Sequence, residues 1–258
     1  MLPFWLSIGV LSLVQAVLVA IPRPPLRTLL ERFQSRWWAL VLPLSIVVVI
    51  SAIALDSASA RFLTYLALAG VPPIAAVALA WLVRGGRVEL ALLVPPLFAL
   101  AWAAKGSLGG QSAALALSAL ACVSLGWLVA CVVPSRWLKL GIYVMAAVDA
   151  YLVTADLLQG PNAVLNTVSP LAGLPRLQLA SFGSAVMGFG DLFVAATLGA
   201  LLASYGRRLQ LQGAALAAIL CLTFDLLFFA VDELPSTVPI ALTLAALELS
   251  SLPSSRSA

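Results

Sequence analysis

The chain has 258 residues, of which 63% are hydrophobic and only 9% are charged. Its mean hydropathy is +1.11, and because a soluble domain has roughly a quarter of its residues charged, a soluble globular protein is excluded. The net charge of +4 is modest and the basic residues are scattered over short connections, so nucleic-acid binding has no support. The composition predicts an all-α integral membrane protein in the lipid bilayer, with one transmembrane domain over residues 1–258.

Nine apolar segments predict a bundle of about nine transmembrane helices. A span needs about 20 apolar residues, and the fourth and ninth segments are somewhat shorter. Pro72–Pro73 and Pro95–Pro96 are expected to kink the third and fourth helices, and the first run is interpreted as a span rather than a signal peptide. The segments are 2–21, 37–55, 62–83, 89–104, 112–133, 138–158, 180–205, 213–231 and 236–252.

The positions of Lys and Arg predict the orientation in the membrane. Loops with an excess of these residues face the cytoplasm, and the odd-numbered loops hold most of them. We therefore expect the N-terminus outside and the C-terminus, with Arg256, inside; the compact loops favour a prokaryotic plasma membrane. The odd loops contain Arg23, Arg27, Arg32, Arg36, Arg84, Arg87, Arg136, Lys139, Arg207 and Arg208, and the even loops contain Arg61, Lys105 and Arg176.

The residue types do not support a metal or cofactor site. The chain has no histidine, and Cys122, Cys131 and Cys221 lie singly in apolar runs without a CxxC pair. Zinc sites and Ser-His or Cys-His catalysis need such residues. We predict no metal and no cofactor, and we interpret the cysteines as small buried apolar side chains.

Four aspartates stand inside the apolar segments: Asp149, Asp156, Asp191 and Asp225. A charge at the bilayer centre costs about 2.5–3.5 kcal/mol on insertion scales, so such residues usually face the bundle interior and have a function. No Lys or Arg lies deep enough in a segment to neutralise them. Asp149 and Asp191 each lie about 11 residues, or roughly 16 Å, into consecutive antiparallel segments, which predicts that they meet near the midplane.

Two carboxyl groups in one low-dielectric site share a proton, and such a pair is suited to peptide hydrolysis. The ionised partner accepts a proton from the attacking water, while the protonated partner donates a hydrogen bond to the substrate carbonyl. Gly188 and Gly190 leave room beside Asp191 for an extended substrate backbone or a neighbouring helix. Asp149 and Asp191 are therefore the predicted catalytic pair.

The sequence GFGD at 188–191 resembles the GxGD motif of the presenilin and signal peptide peptidase family of intramembrane aspartyl proteases. That family has its other aspartate after an aromatic residue on helix six. Here AAVDAYLV places Asp149 at that position, with Val148 instead of the aromatic. The stretch LPSTVPIALT, 234–243, resembles a degraded form of the family's PAL motif. These matches cover about a third of the chain, mainly 138–251.

The resemblance implies a protease that cleaves the membrane-spanning segment of a protein substrate. Residues 1–137, with helices one to five, would form a scaffold, and residues 138–252, with helices six to nine, the catalytic core. Asp149 and Asp191 would be catalytic. The residues expected to contact the substrate are Gly188, Phe189, Gly190, Thr237, Val238 and Pro239.

A helical substrate hides its peptide bonds, so it has to unwind before cleavage. The extended segment is expected to pair with a strand-like edge of the enzyme. The two stretches predicted to offer this edge are the connection 159–179 and the residues before Pro239. The oligomeric state is left open.

Two alternatives also stay open. Prepilin peptidases use a GxGD aspartate too, and ADLLQGPNAVL, 155–165, resembles their other aspartate and the turn after it. Asp156 would then pair with Asp191, although Phe193 stands where those enzymes usually have a lysine; in the first interpretation Asp156 is an auxiliary residue. In the other alternative the four aspartates form the relay of a proton- or cation-coupled transporter. Asp225 is expected to be capped by hydroxyls or water.

Overall fold

The computed structural model describes residues 3–26, 30, 32–56, 58–168, 170, 173–231 and 233–251. Arg27 and Arg256, which contribute to the predicted orientation, lie outside these residues. The described chain is mostly helical. Within it, five helices are long and apolar enough to cross a membrane, and four shorter apolar helices accompany them. The fold is compatible with an all-α integral membrane protein.

The helices follow the predicted apolar segments along the chain. Those that the structure describes are α1 (Phe4–Ala20), α2 (Val41–Leu55), α3 (Ala58–Val77), α4 (Val94–Ala103), α5 (Leu108–Val132), α6 (Ser135–Thr154), α7 (Gln159–Thr167), α8 (Phe189–Tyr205), α9 (Arg207–Asp225) and α10 (Val238–Ser251). Short 3-10 or π-helical segments extend α2, α3, α4 and α9; these are Arg36–Leu40, Ala78–Leu82, Val88–Leu93 and Leu226–Phe229.

Each of the two proline pairs lies near a change in the type of helix. Pro72 and Pro73 lie inside α3, which continues as a π-helix at Ala78–Leu82. Pro95 and Pro96 lie in the first turn of α4, where a 3-10 segment becomes an α-helix. Proline is tolerated there because the first N–H groups of a helix have no internal partner.

Helix α8 is the centre of the bundle. Residues 192–203 are all buried, and α1, α5 and α9 pack around the helix. Glycines permit close backbone contacts on two sides. A Cβ at Gly199 would lie 2.5 Å from the carbonyl oxygen of Leu18, and one at Gly126 would lie 2.6 Å from the backbone nitrogen of Thr197. Small residues of this kind let apolar helices pack backbone to backbone.

The predicted seventh helix, 180–205, is wrong in its first part. β1 (Leu179–Phe182) and β2 (Ala185–Gly188) form an antiparallel hairpin, and α8 begins only at Phe189. A short apolar run is compatible with either a strand or a helix segment, so the apolar character of these residues does not distinguish the two.

The turn of the hairpin explains why the chain reverses there. Gly183 has a φ of +60°, whereas Ser184 has no positive φ, as a two-residue type II′ turn requires. Other helices hold this turn. Gly183 N–H donates to Gln111 Oε1 on α5 at 2.7 Å, and Ser184 N–H donates to Ser7 Oγ on α1 at 3.2 Å.

The predicted sixth helix, 138–158, is too long at its C-terminal end. α6 ends at Thr154; Asp156 then lies in the left-handed region, at a φ of 57°, and Leu157 N–H donates to the Leu152 carbonyl at 2.9 Å. This pattern is a common helix ending. Asp156 is therefore exposed in a turn and does not share a helix face with Asp149.

The predicted connection 159–179 is not irregular throughout. Its first part forms α7, Gln159–Thr167, which packs against α2 and α3. Pro161 lies in the first turn of this helix, where its missing N–H has no cost.

The end of the bundle opposite the hairpin is rich in arginine, and we call it the arginine end. Arg23, Arg84 and Arg207 come from the first, third and seventh loops. Arg84 and Arg207 both donate to Gln210 Oε1, at 2.9 and 3.0 Å, and backbone hydrogen bonds join Arg23 and Arg84 to each other's loops. Three loops that are predicted to be cytoplasmic thus meet at one end.

Candidate active site

Asp149 lies on the inner face of α6, and only 4% of its surface is exposed. Thr237, just before α10, binds one oxygen of its carboxyl group. The threonine hydroxyl donates to Oδ2 at 2.6 Å and the backbone N–H donates to the same atom at 3.3 Å. Removing a carboxylate from water is costly unless polar groups replace the lost solvent. The fully buried Thr237 supplies such groups.

A second polar link holds α6 against α10 at a different level. Glu248 of α10 accepts a hydrogen bond of 2.7 Å from the Tyr143 hydroxyl and lies 2.8 Å from Lys139 Nζ. Together with the Asp149–Thr237 contact, this link fixes both helices along their length. The position of Asp149 relative to the start of α10 is therefore well defined.

Asp191 lies in the first turn of α8, directly after the hairpin. Its Oδ2 accepts a hydrogen bond of 3.0 Å from Gly188 N–H, and Gly188 is both the last residue of β2 and the N-cap of α8. An acid at this position stabilises a helix start. Helix capping alone, however, does not require a second acid on a neighbouring helix.

Asp149 and Asp191 lie within electrostatic range of each other at the hairpin end. Gly190 faces α6, because a Cβ there would lie 3.7 Å from the Met145 methyl group. The expected position of Asp191, about 11 residues into a helix, is wrong: Asp191 is the third residue of α8, since the hairpin replaces the first part of the predicted helix.

The predicted substrate-contacting residues of the GxGD segment have distinct environments. A Cβ at Gly188 would lie 3.1 Å from Asp191 Oδ2, so the glycine lets the carboxylate fold back onto its own N–H. Phe189 packs against the hydrophobic core, and its carbonyl accepts from the Cys122 thiol at 3.7 Å. Phe189 thus has contacts inside the protein.

The predicted residues near α10 lie on the other side of the pair. Thr237 is bound to Asp149, while Val238 and Pro239 begin the helix. Pro239 also lines a small cavity of about 10 Å³, which is close to the volume that one water molecule needs.

Asp156 and Asp225 are not part of the Asp149–Asp191 pair. Asp156 is exposed in the turn after α6. Asp225 ends α9, lines the same cavity as Pro239, and accepts a hydrogen bond of 2.7 Å from the Ser12 hydroxyl. The expectation that a hydroxyl caps Asp225 is confirmed.

Gln15 was not predicted as a site residue, yet it contacts the backbone of the site. Only 1% of it is exposed, on α1. Its Nε2 donates to the carbonyl oxygens of Asp191 at 3.4 Å and Ser236 at 3.3 Å. The available sequence signal was a polar amide inside an apolar run, because such side chains usually face the bundle interior.

Among the described residues, no group of three or more His, Cys, Asp or Glu side chains is placed to hold a metal ion. Comparison of the chain with protein-family models, with curated proteins and with solved structures found no match. Its function is therefore inferred from the chemistry of the site.

Proposed function

We propose that this protein is an intramembrane aspartyl protease that cleaves the membrane-spanning segment of protein substrates. The observation that carries this proposal is the buried carboxyl of Asp149 within electrostatic range of Asp191. In the described part of the chain, the hydrogen bonds to Asp149 come from neutral groups of Thr237, so they do not neutralise a charge on its carboxyl.

The two carboxyl groups have complementary roles in hydrolysis. One keeps its proton, because two adjacent negative charges are unfavourable in a low-dielectric site. The ionised group takes a proton from water as the water oxygen attacks the scissile carbonyl carbon. The protonated group donates to the carbonyl oxygen, and a proton then passes to the leaving nitrogen. Thr237 binds Oδ2 of Asp149, which leaves Oδ1 for this chemistry.

The hairpin offers the strand edge that an extended substrate needs. In a two-residue hairpin the pair next to the turn exchanges hydrogen bonds and the following pair does not, so the N–H and C=O of Val186 point away from β1. Gly188 is oriented in the same way, and its N–H reaches Asp191. The Val186 side chain is 49% exposed. A substrate strand added along β2 would lead to Asp191. The sequence predicts this edge in 159–179 or before Pro239, and β2 lies outside both stretches.

The proposal includes nine spans with the N-terminus outside, in a prokaryotic plasma membrane. The 17 residues of α8 extend over about 25 Å, which is less than the roughly 30 Å of a hydrocarbon core. The hairpin would occupy the remaining depth and keep Asp191 below the outer surface. The meeting of three Arg-rich loops at the arginine end supports this orientation.

A proteoliposome assay tests the proposal. The purified protein should cut single-span reporters that carry a glycine pair in mid-membrane, since glycine loosens the substrate helix. Mass spectrometry should place the new termini inside the apolar segment, and a hydroxyl-containing transition-state analogue with a photoreactive group should label the protein. Absence of both cleavage and labelling across the reporter panel would contradict the proposal.

A proton or cation relay is a second candidate, supported by a row of polar groups. Gln15 joins the Asp191 carbonyl to the Cys221 thiol, and Gln15, Cys221 and Asp225 line one small cavity. These groups lie at the hairpin end, however, and residues 192–203 of α8 are buried and apolar apart from one threonine. A relay would have to continue to the arginine end. Proton uptake by vesicles that disappears in Asp225→Asn would favour transport.

Thr237→Val is expected to lower kcat about 10–100-fold and to leave KM nearly unchanged. Valine has the shape of threonine but cannot donate to Asp149, and a hydrogen bond to a charged group contributes about 1.5–3 kcal/mol. Steady-state cleavage kinetics measure this effect. Thr243→Val is the matched control, because Thr243 is equally buried but donates to its own helix at Pro239, at 2.9 Å. Equal losses in both variants would show that the effect is only structural.

A further inference from the structure

We infer that Gln15 is a positioning residue that sets the separation of Asp149 and Asp191. The inference rests on the proposed function and extends it to α1, which lies outside the predicted catalytic core at 138–252. Gln15 does not contact either carboxyl group in its hydrogen bonds; it acts through the backbone on which the two acids are held.

The side-chain amide bridges the two halves of the site. Its Nε2 donates to the carbonyl oxygen of Asp191 at 3.4 Å and to that of Ser236 at 3.3 Å. Ser236 directly precedes Thr237, whose hydroxyl and N–H both bind Asp149. One amide nitrogen thus connects the backbone of one acid to the segment that holds the other.

The partners of Gln15 determine which way its amide points. A carbonyl oxygen can only accept a hydrogen bond, so the amide nitrogen must face Asp191 and Ser236. The amide oxygen faces the Cys221 thiol, a weak donor, at 3.4 Å. Since Gln15 is 1% exposed, turning the side chain away would leave buried polar groups without partners, which is unfavourable.

The separation of the acids matters because a water molecule and a peptide carbonyl must fit between them. A misplacement of about 1 Å lowers the rate of an enzyme by up to about 100-fold. Apolar packing is non-directional and specifies such a separation less sharply than a hydrogen-bonded bridge. The role of Gln15 is therefore to fix geometry rather than to take part in the chemistry.

Gln210 provides a matched comparison, because it is also a buried glutamine that joins several helices. It is fully buried on α9, and its Nε2 donates to the carbonyl oxygens of Val19 and Pro22 at 3.0 Å and of Gly199 at 3.3 Å. These contacts lie at the arginine end, away from the acids. Loss of Gln210 should thus destabilise the bundle without changing the site.

Kinetics of the purified protein in proteoliposomes test the role of Gln15. Gln15→Met should lower kcat about 10–100-fold and change KM less than about threefold, because the acids are displaced while the substrate edge is kept. Gln210→Met should lower the melting temperature at least as much but keep kcat within about threefold. Cys221→Ala should also stay within about threefold, since it removes only a weak donor.

A cross-linking measurement does not depend on proteolysis. In a protein with Asp149→Cys and Asp191→Cys, and with the three native cysteines changed to alanine, short bifunctional thiol reagents of increasing length would join the two positions. We expect Gln15→Met to shift the preferred reagent length or lower the yield at least about threefold, and Gln210→Met to change neither.

The two readouts separate the possible failures. If the wild type cleaves no reporter but Gln15→Met alters the cross-linking, the proposed protease function is wrong and the positioning role holds. If the wild type cleaves reporters, and neither kcat nor cross-linking responds to Gln15→Met more than to Gln210→Met, the positioning role is wrong.

Discussion

Asp149→Asn and Asp191→Asn are each expected to lower the cleavage rate at least about 10³-fold. Asparagine has nearly the size of aspartate, but its amide neither takes up nor releases a proton near neutral pH. Either change removes the shared proton that activates water and protonates the leaving nitrogen. Initial rates with a single-span reporter measure the loss, and gel filtration with thermal unfolding in detergent should show that both variants are folded.

Asp156→Asn is the control for these variants. Asp156 is exposed in the turn after α6, so its loss should change the rate less than about twofold, as is usual for an exposed residue away from a site. An inactive Asp156→Asn beside an active Asp149→Asn would instead support the prepilin-peptidase type of pairing with Asp191.

Gly199→Ala is expected to weaken the packing of α1 against α8. The added Cβ would lie 2.5 Å from the carbonyl oxygen of Leu18 and 2.7 Å from that of Val19. Backbone atoms cannot rotate away, so the helices must separate. Overpacking lowers the free energy of unfolding by about 1–3 kcal/mol and occasionally more. Because the added Cβ meets backbone atoms at the central helix, we expect the loss for this variant to lie at the upper end of that range. The melting temperature in detergent should fall by about 10 °C, and the yield of monodisperse protein should be lower.

Gly9→Ala is the matched control, because it makes the same change on a helix with room for it. A Cβ at Gly9 would lie 3.8 Å from the Leu222 side chain, which is an ordinary contact. Since alanine favours helix more than glycine by about 1 kcal/mol, this variant should be at least as stable as the wild type. Equal melting temperatures for Gly9→Ala and Gly199→Ala would contradict the close α1–α8 contact.

The apolar segments were predictable from the sequence because a helix that is long enough to cross lipid needs a continuous apolar run. For the same reason Asp149 and Asp191 were recognisable as unusual: an acid inside such a run is costly wherever the chain places it. A buried acid needs a hydrogen-bond donor, so a hydroxyl that caps Asp225 was predictable. The sequence does not show that this hydroxyl belongs to Ser12.

The apolar pattern of the sequence did not predict where along their helices the acids lie or which residues surround them. The hairpin before α8 depends on Gly183 together with Gln111 and Ser7, which hold its turn from two other helices. Because these partners are distant in sequence, the local apolar pattern does not distinguish a strand from a helix there.

The sequence by itself determined that the chain is built mainly of apolar helices and that four acids lie in or beside apolar runs, since both properties depend on composition over one or two dozen neighbouring residues. Only the tertiary structure decided which acids meet and what holds them. Thr237 on Asp149 and Gln15 on the backbone of Asp191 are hydrogen bonds between residues far apart along the chain. They exist only when helix packing brings donor and acceptor within hydrogen-bonding distance, and no local pattern encodes that distance.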